Sequence, residues 1–210
     1  QLNEEFMEVK RGCMIAVSAI SDIGDKILLS NGEEICYTKR KKKALREELQ
    51  KKQELMIAKI SKKKLPLTPE EYGKYYKICD SLPFAFTDIE MVFNEEKKAV
   101  DWIFRYGNEA LATLEKLPLD KMIGNSFSSL FSNMDAKWLH VYERATLYGE
   151  TLEIMDYSPE IDTNLKIICF PTFPGHCGCI LFNADKMKSI SEENHLVRLA
   201  AVAMKSNPTI

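Results

Sequence analysis

The sequence predicts an α+β protein, and three observations predict it. Short segments rich in β-formers fill residues 6–37, a helical period takes over from Lys41, and the second half runs as two strands, a set of short helices and then three strands. With 45% hydrophobic and 29% charged residues, the 210-residue chain has the balance of an ordinary soluble globular protein, with room for one large domain or two small ones.

"FMEV", "CMIAV" and "KILLSNGEEICYT" are short and aliphatic, and Gly12, Gly24-Asp25 and Asn31-Gly32 break them into strands. Asn31-Gly32 lies between "ILLS" and "EEICYT", where a tight hairpin with a type I′ turn is expected, since both residues tolerate positive φ. From Lys41 to about Ser61, Leu45, Leu49, Met56 and Ile60 recur at helical spacing, with Glu47 and Glu48 placed to pair with Lys51 and Lys52. A boundary falls between Ser61 and Pro66. Thr68 then reads as an N-cap, with Pro69 at the first helical position and Glu70 and Glu71 in the first turn.

In the second half "FAFTDIEMVFN" (84–94) and "AVDWIFRYGN" (99–108) form a strand pair around the acidic turn Glu95 to Lys98. Helices are expected in "NEALATLEK" and from Trp138 to Glu150, with the looser "DKMIGNSFSSLF" between them. "TLEIMDYSP", "LKIICFPTFP" and "HCGCILFNAD" close the unit as three strands. No repeat or low-complexity segment interrupts it.

Charge is uneven. Residues 1–66 carry 15 Lys/Arg against 10 Asp/Glu, a net of +5, and the remainder carries 14 against 21, a net of −7. The first part is therefore the one that attracts polyanions. Six basic residues crowd into the eight positions from Lys39 to Arg46. No run of roughly 18 apolar residues and no signal-peptide pattern is present, which predicts a cytoplasmic protein without a membrane span.

Of the six cysteines, at 13, 36, 79, 169, 177 and 179, only Cys177-Gly-Cys179 is close-spaced, and the paired CxxC of a zinc site is missing. Reduced thiols used as small core residues, and no metal, are expected. His140, His176 and His195 fall in a helix, at a strand start and in the tail, without an evident acid or nucleophile partner. No phosphate-binding glycine loop, HExxH or nucleophile elbow occurs, so no enzyme activity is expected.

The passage "FRYGNEALATLEKLPLDKMIGNSFSSLF" and the ending "CILFNADKMK", with Asp185 stopping the last strand, resemble a PAS domain over about residues 82–188. The resemblance implies a five-stranded antiparallel sheet with helices on one face, a pocket between them, and a sensory or dimerising role without catalysis. Some PAS domains bind haem through a helix histidine; His140 on its amphipathic helix reads instead as a half-exposed surface residue. The flavin-binding subgroup carries an Asn-Cys-Arg-Phe motif, and "MIGNSFSSLF" has no Cys. The cofactor is left unknown: a small organic ligand, or none.

"EEFMEVKRGCMIAVSAISDIGDKILLSNGEEICYTKRKKKALREEL" resembles the C-terminal half of a LytTR DNA-binding domain over about residues 4–50. Phe6, Val9, Arg11, Met14, Ile15, Ile20, Ile23, Leu29, Asn31-Gly32, Ile35, Arg40, Lys43 and Leu45 carry the match, with Lys10, Gly12 and Ala16 departing from the family's His, Ser and Asn. That family binds DNA through loops that enter successive major grooves. The resemblance assigns base reading to Lys10, Arg11 and Arg40, and an Arg can bond both acceptors of a guanine edge. Lys39, Lys41, Lys42 and Lys43 suit phosphates as mobile point charges. The first half of the domain has no counterpart, so a longer protein is expected, and residues 1–40 are expected to have exposed sheet edges and an incomplete core.

Together these readings predict a partial LytTR-like β-domain (1–50), a helical linker (51–81), a PAS domain (82–190) and a C-terminal helix or tail (191–210). The expected function is a bacterial transcription regulator in which DNA binding is controlled by a PAS sensor, with homodimerisation through PAS and the linker helix. The alternatives are the sensory fragment of a signalling enzyme (a cyclic-dinucleotide synthase or a histidine kinase) and a non-catalytic PAS interaction module.

Overall fold

The computed structural model describes residues 5–63, 67–132 and 136–187. The expected tail at 191–210, His195 and the boundary at Pro66 lie outside the described residues.

β1 (Phe6–Lys10) pairs antiparallel with β2 (Cys13–Ala16), and β3 (Ile20–Ile23), β4 (Ile27–Leu29) and β5 (Glu34–Ile35) form a second antiparallel sheet in that order. Their alternate aliphatics, among them Met7, Val9, Ile15, Ile23 and Ile27, meet in one cluster. The incomplete core expected of a half-domain is not what forms, because α1 (Lys42–Lys63) lays Leu45 and Leu49 over the strands, and Val9 and Ile27 are 0% exposed. Glu48 pairs with Lys52 as expected, whereas Glu47 pairs backwards with Lys43.

The hairpin at Asn31-Gly32 forms with a different turn. The Gly32 amide donates to the Leu29 carbonyl at 2.9 Å, which centres the turn on Ser30 and Asn31, and only Gly32 takes a positive φ, at 85°. The result is a type I turn closed by a left-handed glycine. Asn31 instead accepts the Glu33 amide on its side chain at 3.0 Å, a local bond that competes with the type I′ geometry.

α2 (Pro69–Tyr75) begins with the expected cap, completed as a box: Thr68 Oγ1 accepts from the Glu71 amide at 3.3 Å, and the Thr68 amide donates to Glu71 Oε2 at 2.7 Å. A 3₁₀ turn, Lys77–Ser81, leads into β6 (Ala85–Phe93) and β7 (Ala99–Gly107). α3 (Glu109–Glu115), α4 (Leu119–Met122), α5 (Phe127–Leu130) and α6 (Ala136–Tyr148) follow. β8 (Leu152–Ser158), β9 (Thr163–Pro171) and β10 (His176–Asn183) complete a five-stranded antiparallel sheet of order β7-β6-β10-β9-β8. The expected stop at Asp185 coincides with the end of β10, and its carboxylate accepts the Asn164 amide at 3.1 Å.

Strand alternation sends Ala85, Ile89, Trp102, Ile167, Cys177 and Cys179 to one face, where Leu111, Met122, Phe127, Trp138 and Tyr142 of α3–α6 cover them. Helices on one face alone, as expected, is corrected by the other face. There Phe86, Tyr106 and Phe170 stand out from the sheet, and Tyr72 and Tyr76 from α2 and its end bury them. The aromatic side chains on that face need a cover, and the capped helix supplies it. No described helix is long and apolar enough to cross a membrane.

Asn108 joins β7, α3 and the start of β6. Its Oδ1 accepts from Leu111 and Phe86 amides at 3.0 and 3.1 Å, and its Nδ2 donates to the Cys79 and Phe84 carbonyls at 3.0 Å each. It is 2% exposed, so every hydrogen-bonding position is used away from water. Asn108→Ala removes a helix cap and orphans buried groups, and is expected to cost about 3 kcal/mol in urea unfolding. A loss below about 1 kcal/mol, the value of a cap alone, would show that these bonds do not act together.

Candidate functional site

Three places on the molecule hold enough chemistry to be sites: a basic groove at the head of α1, a cavity under α3–α6, and a polar network on the opposite face of the sheet.

The groove begins where a 3₁₀ turn, Lys39–Lys41, runs into α1. Lys39, Arg40, Lys42, Lys43 and Arg46 line it with Glu47 and Gln50. Three of these cations are engaged, Lys43 by its pair with Glu47 within α1 and the other two across the fold. Arg46 donates from Nε to the Ile23 carbonyl at 2.7 Å, and Lys42 lies 3.5 Å from Asp25. Among the described residues no ion pair holds Lys39, Arg40 or Lys41, which are exposed. Lys10 and Arg11 sit at the β1–β2 turn, exposed, and do not line the groove. The structure thus brings Lys39, Arg40 and Lys43 together, with Lys41 beside them in the same turn, and leaves Lys10 and Arg11 on a separate projection.

The cavity lies between the sheet and α3–α6 and is lined by Trp102, Phe127, Trp138, Tyr142, Glu115 and Glu160 among others. It holds ≈ 30 Å³. A water needs roughly 10–15 Å³ and an organic ligand site roughly 300 Å³ or more, so this space suits water or a single small species. His140 is not on its wall; it lines a wider cleft between β3, α1 and α6, with its Nε2 buried and without a partner. Burial, and then Arg144, lowers the His140 pKa.

Two carboxylates share the cavity wall. Glu160 accepts from Ser158 Oγ at 2.6 Å through Oε2, while its buried Oε1 has no partner. Glu115, at the end of α3, is pushed up from 4.5 to about 7, first by burial and then by the charge of Glu160.

On the outer face, Asp88 in β6 is fully buried. Its Oδ2 accepts from Tyr76 Oη at 2.7 Å and from Thr172 Oγ1 at 2.5 Å, and its Oδ1 accepts from His176 Nδ1 at 2.6 Å. The other ring nitrogen, Nε2, faces Tyr72 Oη at 3.3 Å. His176 therefore has the acid partner that the sequence did not reveal. The signal was present in "FAFTDIEMVF", where two acids, Asp88 and Glu90, sit inside an apolar strand and, once buried, need donors. Asp, His and tyrosine hydroxyl at these distances have the makings of a proton relay, and all are buried under α2. The network joins α2, β6 and β10.

The three thiols Cys169, Cys177 and Cys179 also converge on the helix-covered face, with all their sulfurs within 4.8 Å of one another. Sequence spacing could not indicate this, because Cys169 reaches Cys179 only through the β9–β10 register.

No family model matches the chain, and no curated protein matches it.

The raised pKa of Glu115 sets a pH dependence. Since its native value lies above the ordinary 4.5, its contribution to stability is complete below about 4.5 and is lost as the pH rises through about 7. Urea unfolding of the parent chain is expected to weaken between pH 5 and pH 8 by on the order of 2 kcal/mol more than that of Glu115→Gln, whose side chain does not ionise. Parallel stability profiles for the two would show that Glu115 is not the group responsible.

Proposed function

We propose that the chain belongs to a bacterial transcription regulator, with a LytTR-type DNA-binding unit joined by α1 and α2 to a PAS-type sensor or dimerisation unit. The carrying observation is the groove at the head of α1, where Lys39, Arg40 and Lys43 stand together with Lys41 in the adjoining turn. Charges held this way suit a polyanion, with Arg40 the one able to bond both acceptors of a guanine and the lysines suited to phosphates. Lys10 and Arg11, on their own turn, are the candidates for a second contact in a neighbouring groove of the duplex.

The five-stranded antiparallel sheet with four helices across one face agrees with the PAS resemblance. The cavity supports a restricted version of the sensor reading. At ≈ 30 Å³ it leaves no space for a haem or flavin, so the unit either senses a small species or acts through dimerisation. The second possibility is the interaction-module reading, and the same small cavity favours it. Homodimerisation would double the phosphate contacts and fix the spacing of two half-sites.

Fluorescence anisotropy of the intact gene product on duplex DNA, across a salt series, tests the regulator reading. Affinity is expected to fall steeply with salt, with a log–log slope of roughly −0.9 per phosphate contact. Lys39→Ala is expected to lower that slope by about 1 on every sequence, whereas Arg40→Ala costs about 1–3 kcal/mol on the preferred sequence and little elsewhere. A folded protein whose DNA binding is absent, or insensitive to salt, refutes the reading.

A further inference from the structure

Three of the six cysteines have been placed by the fold in one spot. Cys177 and Cys179 are two apart on β10 and so share a face, and Cys169 lies directly opposite Cys179 on β9. Sγ of Cys177 is 3.5 Å from Sγ of Cys179, and all three sulfurs fall within 4.8 Å of one another. A soft ion bound to sulfur at about 2.3 Å needs its ligands close to 4 Å apart. The triangle is thus already near the size of a three-coordinate thiolate site. Cys169, Cys177 and Cys179 are at most 1% exposed, whereas the other three cysteines lie elsewhere and are partly or fully exposed.

The bland alternative, thiols as small apolar core residues, accounts for burial but not for three sulfurs meeting at one point. One further observation separates the cases. Cys179 is on the wall of the ≈ 30 Å³ cavity, which puts space for a small species beside the cluster.

Charge selects the ion. Three thiolates around a monovalent ion leave two negative charges, and around a divalent ion one, in an apolar core where a bare charge is costly. Zinc also wants a fourth ligand, and no fourth His, Cys, Asp or Glu joins the group among the described residues. A trivalent centre with three thiolates is neutral. From these three side chains we infer that Cys169, Cys177 and Cys179 form a binding site for a trivalent thiophilic metalloid of the arsenite class. In the step, arsenous acid meets three thiols: three S–H and three As–O bonds break, three As–S bonds form, three waters leave, and no electrons are transferred. Arsenous acid is neutral and small, which suits the space beside the cluster. The site does not depend on the DNA-binding reading, and its failure would leave that reading intact.

The full chain, kept reduced, would be titrated with arsenite while sulfur-to-arsenic charge-transfer absorption is followed in the ultraviolet. One arsenic per chain is expected, with three of the six thiols then protected from a thiol reagent after unfolding. Replacing Cys13, Cys36 and Cys79 together by alanine should leave binding unchanged. Cys177→Ala should weaken it by more than the ~10–100-fold that loss of an outer-shell partner costs a metal site. Should Cys177→Ala fail to fold, X-ray absorption of the arsenic bound to the triple variant decides: three sulfur neighbours support the site, and two or fewer overturn it. Binding that survives Cys177→Ala in a folded chain also overturns it, as does zinc or copper(I) occupying these sulfurs in preference to arsenite.

Discussion

A carboxylate buried in the middle of a sheet governs how the second half of the molecule is put together. Asp88 is fully buried, a position tolerable only if donors satisfy its oxygens. Those donors come from three separate places: Tyr76 just after α2, Thr172 between β9 and β10, and His176 at the start of β10. Satisfying one side chain therefore fixes where the linker lands on the sheet and how the β9–β10 connection turns. Burial, and then Asp88 itself, raises the phenol of Tyr76, so that it stays a proton donor to Asp88 at ordinary pH. Tyr106 extends the arrangement, donating to Asp80 Oδ1 at 2.6 Å and to the Tyr76 carbonyl at 3.2 Å, and is raised likewise by burial.

The two faces of the same sheet then have different chemistry, separated by the two-residue period of a strand. Along β10, His176, Gly178 and Ile180 face the linker side, while Cys177, Cys179 and Leu181 face α3–α6. Gly178 in the Cys-Gly-Cys stretch is explained by its neighbours: a Cβ there would stand 2.8 Å from the ring of Phe170 and 2.9 Å from Thr172 Cγ2. The ring of Phe170 lies over the strand on one side, and the two thiols project on the other. A single strand thus serves the hydrogen-bonded network and the thiol cluster without mixing them.

The local grammar of the fold was legible, and the long-range chemistry was not. Strand and helix positions in the second half followed from apolar periods, and the start of α2 from Thr68 with its first-turn acids, because a cap is satisfied within a few residues; the cap role of Asn108 at α3 emerged only in the structure. The Asn31-Gly32 hairpin was readable but its turn type was not, since the Asn31 side chain found a closer acceptor role with Glu33. His176 and Asp88 are 88 residues apart, and Cys169 meets Cys177 and Cys179 only across a strand register, so neither constellation leaves a spacing in the sequence. The cover of α2 on the second face was missed for the same reason: Phe86, Tyr106 and Phe170 come together only when the sheet forms. The basic run was legible as charge, whereas the engagement of Arg46 and Lys42 within the fold, which separates them from Lys39, Arg40 and Lys41, was not.

α1 touches both halves, packing on β1 and β3 of the first and on α6 of the second. Near its start, Leu45 and Leu49 close the core of the first unit, and Arg46 ties it to β3 through the Ile23 carbonyl. Further on, Gln53 lines the same cleft as Tyr148 at the end of α6, and Ile60 approaches Gly175 beside the Asp88 network. A helix of 22 residues is about 33 Å long and stiff along its axis. Its contacts change along its length: an aliphatic core near its start, then the cleft against α6 and the turn at Gly175. A species that favours one arrangement of the sheet unit can alter the groove only if α1 cannot keep both sets of contacts at once, and only by its difference in affinity for the two arrangements. The thiol cluster and the cavity lie on the face of the sheet that α6 covers, and α6 carries Tyr148. The Asp88 network lies on the opposite face of that sheet, beneath α2.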